Sequence, residues 1–418
     1  MTDPLPEHDR RPGAAVVSSA GASSAGASMW FAGVRGRGAV ECIDLATDGD
    51  RVTSGMWAVV GDFEGRVLAW RFADVERTAE EAPARGDDVP AAGRADAPWS
   101  GPAPEQWSSS MDRDTYVAGV GSIRSAVREG EVYQVNLCRV LSAPLPAVDG
   151  AEPDPAPLAA RLAAGNPAPY AGVVHVPAGG GLPPVWVVTA SPELFLRVGD
   201  GLITSGPIKG TATTPQGLTA KDEAENIMIA DMVRNDLQRV CRPGTVEVTD
   251  LLAVEQHPGL VHLVTTVQGE LTRPRPDWTA ILAATYPPAS VSGAPQHTAL
   301  AAIAQLEPVA RGPYCGAIGW IDADAGRAEL AVGIRTFWWT PDGGGRLHFG
   351  TGAGITWGSD AGAEWAETEL KAHRLVTLAS TGVAARPSSG DDTGAPDGPD
   401  ARRGTRMAGP GTRERRTS

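Results

Sequence analysis

The sequence predicts an α+β fold, a sheet sandwich with helices, on three observations. Strand-like apolar runs dominate the middle of the 418-residue chain. Helix-like stretches are fewer, and strands and helices do not alternate as a doubly wound parallel sheet requires. No short-period repeat points to a solenoid or propeller. Apolar residues make up 42% and charged residues 21%, as in an ordinary globular protein, and the length fits one large domain or two smaller ones.

Taken in order, residues 1–28 are poor in large apolar side chains and rich in Ala, Gly, Ser and Pro. Such a stretch cannot bury enough surface to offset its ordering entropy, so a disordered tail is expected. The run 66–72 reads as a strand. Residues 77–106 are polar and rich in Pro and Ala, a long loop or linker. Residues 114–129 read as helix, and 185–189 and 201–205 as strands. The longest helical stretch is 218–240, with a stop at Arg242-Pro243-Gly244. A short helix at 298–306 precedes strands at 316–321, 328–335 and 346–349. The last helix is 360–380, and 385–418 again has the composition of a disordered tail. The folded part is therefore 29–384.

The formal net charge is −14. That balance opposes non-specific binding to nucleic acid or to an anionic membrane surface, while leaving small anionic substrates possible where cations gather locally. Cys42, Cys138, Cys241 and Cys315 are scattered without metal-ligand spacing, as expected of reduced cytosolic thiols. Ala14-Ala15-Val16-Val17 is too short for a secretory core, and no run is long enough to span a bilayer. The expected compartment is the cytoplasm.

Chemistry concentrates around Pro207-Ile208-Lys209-Gly210-Thr211. Proline and glycine fence the lysine, so its backbone is held in a tight bend and its side chain must leave it. Ser191-Pro192-Glu193-Leu194-Phe195 stands just upstream. The two segments pair an amine nucleophile with a carboxylic acid on neighbouring strands; a solvated lysine in a turn is the plainer alternative. On the long helix Asp222 and Glu225 share a face, and on the last helix Glu364, Glu367 and Lys371 do. These are either solvated acidic faces, with Glu367–Lys371 an ordinary i,i+4 pair, or Glu225 and Glu367 together hold a hard cation. Gly350-Thr351-Gly352-Ala353-Gly354-Ile355 reads as a turn ahead of a helix, open to an anion through bare N–H groups. Arg335 at a strand end can grip a carboxylate bidentately. Tyr314 and His262 are polar groups inside apolar runs, as buried core residues also are.

These segments, in this order, resemble the chorismate-utilising enzymes over about 107–378. The resemblance includes Tyr133-Gln134-Val135-Asn136-Leu137, Asp222-Glu223-Ala224-Glu225-Asn226, Arg234-Asn235-Asp236 and Ser292-Gly293-Ala294-Pro295. It continues through Gly316-Ala317-Ile318-Gly319, Gly333-Ile334-Arg335-Thr336 and the Glu364, Glu367, Thr368, Lys371 pattern. It implies one large domain of two stacked, mainly antiparallel sheets with helices outside. Lys209 is the discriminating position: anthranilate, isochorismate and salicylate synthases carry a small residue there, and the aminodeoxychorismate synthase component I branch carries lysine. Gln134 agrees, because members that add water at C2 have lysine at that position. The chain therefore resembles the 4-aminobenzoate branch, serving folate or a secondary metabolite. The same family leaves two other readings, anthranilate synthase component I or another chorismate-aminating enzyme, and a catalytically silent scaffold subunit for an amidotransferase.

The resemblance further implies Mg²⁺ on Glu225 and Glu367 with Glu364 nearby, anchoring a ring carboxylate. It implies Arg335, Tyr314 and the amides of Gly352, Ala353 and Gly354 for the enolpyruvyl carboxylate. Lys371, His262, Ser290, Gly210 and Thr211 complete the pocket. It implies that Lys209 attacks chorismate at C2 and that Glu193 protonates the leaving 4-hydroxyl. Ammonia is implied to come from a separate glutamine amidotransferase subunit. A free lysine titrates near 10.4, so a neutral amine at pH 7 requires about 4 kcal/mol of differential destabilisation of the charged form, to be supplied by burial and the nearby Mg²⁺. Glu193 needs an apolar setting to stay an acid. Two departures from the family's form stand in 285–296: Pro288 stiffens the loop, and Gln296 replaces a lysine. The tryptophan-binding Leu-Leu-Glu-Ser motif of anthranilate synthase does not occur, so feedback inhibition has no support.

Overall fold

The computed structural model describes residues 24–77, 98–212, 214–257 and 260–381. Its 18 strands join by antiparallel pairings into one continuous ladder. One end of the ladder is Gln134–Pro144, flanked by the short strands Ser108–Ser109 and Gly293–Ala294. From there it runs through Arg346–Ile355, Thr336–Thr340, Val185–Ser191, Tyr170–Val176 and Ser24–Phe31. Next come Val34–Asp44, Val67–Arg77, Met56–Gly61, Ala317–Asp322 and Arg327–Val332. It ends through Leu194–Gly199, Leu202–Gly206 and Leu260–Glu270, which pairs with both Ile208–Ala212 and Glu247–His257. The two expected sheets are thus linked by hydrogen bonds into a single sheet. Its halves share a core: Phe31, Trp57, Leu137, Val187, Phe195 and Ile321 belong to one cluster of buried side chains. A second cluster, with Trp186, Phe337, Phe349 and Leu375, lies under the last helix. Each such side chain, fully buried, contributes about 1.5–3 kcal/mol.

Helices cover this sheet. Ala220–Gln238 packs on Leu260–Glu270 and Ile208–Ala212 through Asn226, Ile229, Ala230, Val233 and Leu237. Ala361–Ala379 packs on Arg346–Ile355 and on the helices Arg113–Glu129 and Ala156–Gly165. Asp360 caps it, accepting from the Ala363 N–H at 2.9 Å, and the buried face carries Glu364, Thr368, Ala372 and Leu375. The helix is therefore rotated so that Glu364, a charged residue, faces the sheet.

Several boundaries move from the sequence reading. Ser24–Phe31 is a strand paired on both sides, so the folded part begins before residue 29. Arg77 closes a strand rather than opening a linker. In 98–106, the Trp99 indole N–H donates to the Ala379 carbonyl at 2.7 Å, and Pro104–Gln106 is a 3₁₀ turn; residues 78–97 lie outside the described residues. The glycine run is not a turn: Arg346–Ile355 continues as a strand through all of it. The long helix stops at Gln238, short of the predicted Val240. The helices Ala156–Gly165 and Trp278–Thr285 had no predicted counterpart. The described residues belong to one unit, Met1–Ala384; the second, Ala385–Ser418, lies outside them.

Candidate active site

Lys209 lies in a strand with a bulge, not in a tight bend. The register of Ile208–Ala212 against Leu260–Glu270 shifts between Ile208 and Thr211. Gly210 takes φ 83° there, a left-handed conformation that glycine adopts without steric cost. The extra residue re-aims Lys209, whose Nζ donates to the Ser290 main-chain carbonyl at 3.0 Å. Thr211 pairs with His262, which is buried at 2% exposure; the Thr211 side chain lies outside the described residues.

Glu193 stands at the join of two strands, with its own carbonyl accepting from Val332 N–H at 3.0 Å. Its side chain is buried at 3% exposure. Burial pushes its pKa up, and the Ser290 hydroxyl, Lys209, the Ile208 N–H and Arg335 each oppose that rise. Burial likewise pulls the Lys209 pKa down, against Glu193 and Glu225. Ser290 therefore touches both groups, the lysine through its carbonyl and the acid through its hydroxyl. Arg335, facing the same acid, is held at φ 53°, a strained conformation for a residue with a side chain.

Asn136 fixes the Ser290 carbonyl. Its Nδ2 donates to that same oxygen at 2.9 Å. Its own carbonyl accepts from Arg311 Nη2 at 3.0 Å, and Arg311 Nη1 donates to the Val291 carbonyl at 2.9 Å. Arg311 is clamped by Glu307 at 2.6 Å and lies over the Phe63 ring. Neither Asn136 nor this buried ion pair was singled out from sequence. Asn136 sits in the quoted segment 133–137, but nothing local says where its amide points.

The acidic helices meet differently from the sequence reading. Asp222 is spent on a capping box with Thr219. Lys221 Nζ lies 3.6 Å from Glu225 and 3.7 Å from Glu364, whereas Glu367 is paired with Lys371 at 2.6 Å. The carboxylate facing Glu225 is thus Glu364, with Glu367 one place further out. Among the described residues no three metal-ligating side chains converge. The donor set still suits a hard divalent cation completed by water and substrate oxygens. Glu225 Oε1 is a buried oxygen with the Lys221 ammonium 3.6 Å away, too far for a good hydrogen bond, and burial holds the Glu225 pKa up, as a cation would reverse.

Lys371 Nζ also donates to the Gly352 carbonyl at 3.1 Å. Cys138 N–H goes to Glu307 and Asn136 N–H to Ser292, so Gly352 and Gly354, opposite them, direct their N–H groups to the other edge. Thr336–Thr340 pairs with this strand only as far as Phe349, leaving that edge open. Side chains are excluded from the run by close neighbours. A Cβ would meet the Tyr314 ring at Gly350, the Cys138 sulfur at Gly352 and the Gln134 amide at Gly354. Gln134 is fully buried, with both polar amide atoms unpartnered. Leaving such groups unsatisfied costs about 1–3 kcal/mol each. Ala353 turns its side chain into the core. Tyr314 is buried with its ring against Gly350, beside Cys138, Cys315 and Arg311, and its hydroxyl is hydrogen-bonded to Cys138.

Lysine is scarce in this chain. Of 36 basic residues only Lys209, Lys221 and Lys371 are lysines, and all three lie in this one site. That count was a sequence signal for Lys221. A cavity of about 660 Å³, lined by apolar side chains such as Leu282, Tyr286 and Ile303, contains none of the three lysines. The converging charges, not that cavity, mark the site.

Residues 65–377 match the family described as chorismate binding enzyme. The chain belongs to the chorismate-binding enzyme family. It is 35% identical over 291 residues to anthranilate synthase component 1 of Streptomyces coelicolor, covering 67% of this chain and 54% of that protein. It is 34% identical over 285 residues to aminodeoxychorismate synthase component 1 of Salmonella typhimurium, covering 65% and 58%. The chain spans about half to two-thirds of the length of these relatives. The fold matches anthranilate synthase component I of Streptococcus pneumoniae, with TM-score 0.62, 24% identity and coverage of 78% and 80%. It also matches the menaquinone-specific isochorismate synthase of Escherichia coli, with TM-score 0.65, 18% identity and coverage of 85% and 89%. Among the described residues no helix is long and apolar enough to cross a membrane.

Proposed function

We propose that this family member aminates chorismate at C4 through a covalent adduct on Lys209, giving 4-amino-4-deoxychorismate. The observation that carries the reading is Ser290, which holds a half-buried lysine by its carbonyl and a buried acid by its hydroxyl. The lysine is brought toward its neutral form by burial. Burial raises the pKa of the acid, toward the proton-holding form. Lys209 Nζ bonds to C2 as the diene shifts and the C4–O bond breaks, the oxygen leaving as water with the Glu193 proton. Ammonia then bonds to C4, the diene shifts back, and the C2–N bond breaks to restore the lysine.

Glu225 and Glu364, with Glu367 near them, are the residues proposed to hold Mg²⁺. When bound, it supplies positive charge for the ring carboxylate and draws electron density from the diene. Arg335 and the Gly352 and Gly354 N–H groups receive the second carboxylate, and the Gln134 amide gains partners on substrate. Ammonia is proposed to come from a separate glutamine amidotransferase, in line with the component 1 names of relatives.

A second reading, anthranilate formation, is favoured by one observation: relatives named anthranilate synthase match at the same identity. Incubation with chorismate, Mg²⁺ and an ammonium salt separates the two. A product that a lyase converts to 4-aminobenzoate supports the first reading, and anthranilate supports the second.

A further inference from the structure

We propose that Lys221 is a tethered competitor for the divalent cation at Glu225 and Glu364, so that cation entry requires the Lys221 side chain to swing out. The inference rests on the cation reading above but not on the chemistry assigned to Lys209.

The geometry supports mutual exclusion. Lys221 stands in the first turn of the helix Ala220–Gln238, one turn before Glu225 on the same face. Its ammonium reaches one oxygen of Glu225 and one of Glu364, residues from two different helices. A Mg²⁺ on those oxygens would sit about 2.0–2.1 Å from each. An ammonium 3.6–3.7 Å from the same oxygens would then lie beside the ion with like charge. Both cations cannot share the place.

The lysine is the partner able to leave. Its side chain is 54% exposed, while Glu225 and Glu364 are 17% and 6% exposed. The carboxylates cannot turn to water, whereas the lysine can. Its distances are also longer than the 2.6 Å between Lys371 and Glu367. Lys209 and Lys371 have other partners, Ser290 for one and Glu367 with Gly352 for the other. Lys221 is the lysine that bridges Glu225 and Glu364, the two carboxylates that face each other from different helices. Half-exposed ion pairs are individually weak, so the competition is worth about 5–10-fold in cation affinity.

The test is calorimetric titration of the full chain with Mg²⁺ or Mn²⁺ in the absence of chorismate. Lys221→Gln is expected to bind the cation about 5–10-fold more tightly than wild type, and Lys221→Arg, which keeps the charge, to return most of the way to wild type. Without metal, Lys221→Gln should also melt lower and gain more from added Mn²⁺, because its carboxylates lose their counter-charge. Equal or weaker binding by Lys221→Gln, or Lys221→Arg binding as tightly as Lys221→Gln, overturns the proposal. No chorismate is present, so an error in the assigned product leaves these titrations unchanged.

Discussion

Lys209 donates to the main-chain carbonyl of Ser290 at 3.0 Å. A carbonyl accepts from a neutral amine as it does from an ammonium, so the contact orients the lysine without fixing a full charge on it. A carboxylate in that place would hold the lysine protonated and unreactive. Glu193 is close enough to pull the other way, and its burial opposes ionisation.

Asn136 shares that carbonyl with Lys209. Asn136→Ala should free the Ser290 carbonyl to move and misplace the amine. The expected loss is about 10- to 100-fold in kcat with KM changed little, since a small misplacement of a reacting group costs that much. Steady-state kinetics with chorismate and ammonium salt decides it; a change in KM alone would place Asn136 in binding.

Glu193→Gln keeps the shape and removes the proton. Its kcat/KM should drop by about 10²–10⁴-fold. The pH profile carries the sign. Activity needs Lys209 neutral, so it falls as pH drops through the lowered lysine pKa. It also needs Glu193 protonated, so it falls as pH rises through the raised acid pKa. The glutamine variant should lose the alkaline limb and keep the acid limb.

The Glu307–Arg311 pair is 5% and 1% exposed. Arg311→Met strands a buried carboxylate, and breaking such a pair costs about 3–5 kcal/mol. Glu307→Gln combined with Arg311→Met should recover part of that loss in a denaturant titration, because the two sites interact directly. Additive losses would show that the pair is not coupled.

His348 provides a pH test of the fold away from the site. It lies between the hydroxyls of Ser142 at 2.8 Å and Thr340 at 3.0 Å and stacks on Trp338. Burial lowers its pKa from 6.5 to about 4. The unfolded chain then takes up the proton first, so stability is fully present above pH 6.5 and is lost as pH falls toward 4. For this half-buried ring the loss is about 1–3 kcal/mol. Denaturant titrations of wild type and His348→Asn should converge as pH falls across that window.

Much of the site was legible in the sequence, and what was not has a physical cause. Lys209 and Glu193 stood out because proline and glycine fence one and apolar residues flank the other. The structure does bring them together at Ser290. The glycine run misled because glycine ordinarily signals a turn. Here it is demanded by Tyr314, Cys138 and Gln134 pressing on a strand, contacts made by distant segments. The partner of Glu225 was also hidden. Helical spacing puts Glu364 and Glu367 on neighbouring faces, and only packing on the sheet fixes which one turns inward. Tyr314 reads as a polar residue in an apolar run, and it is one, with its ring packed at Gly350 and its hydroxyl hydrogen-bonded to Cys138.

The most direct test of the central claim is mass spectrometry of the protein trapped with chorismate and Mg²⁺ without ammonia. With three lysines in the chain, assignment to one peptide is unambiguous. The lysine mechanism predicts a chorismate-derived adduct, less one water, on the peptide carrying Lys209, and none in Lys209→Ala. An unmodified Lys209 peptide, together with undiminished turnover by Lys209→Ala, would contradict it.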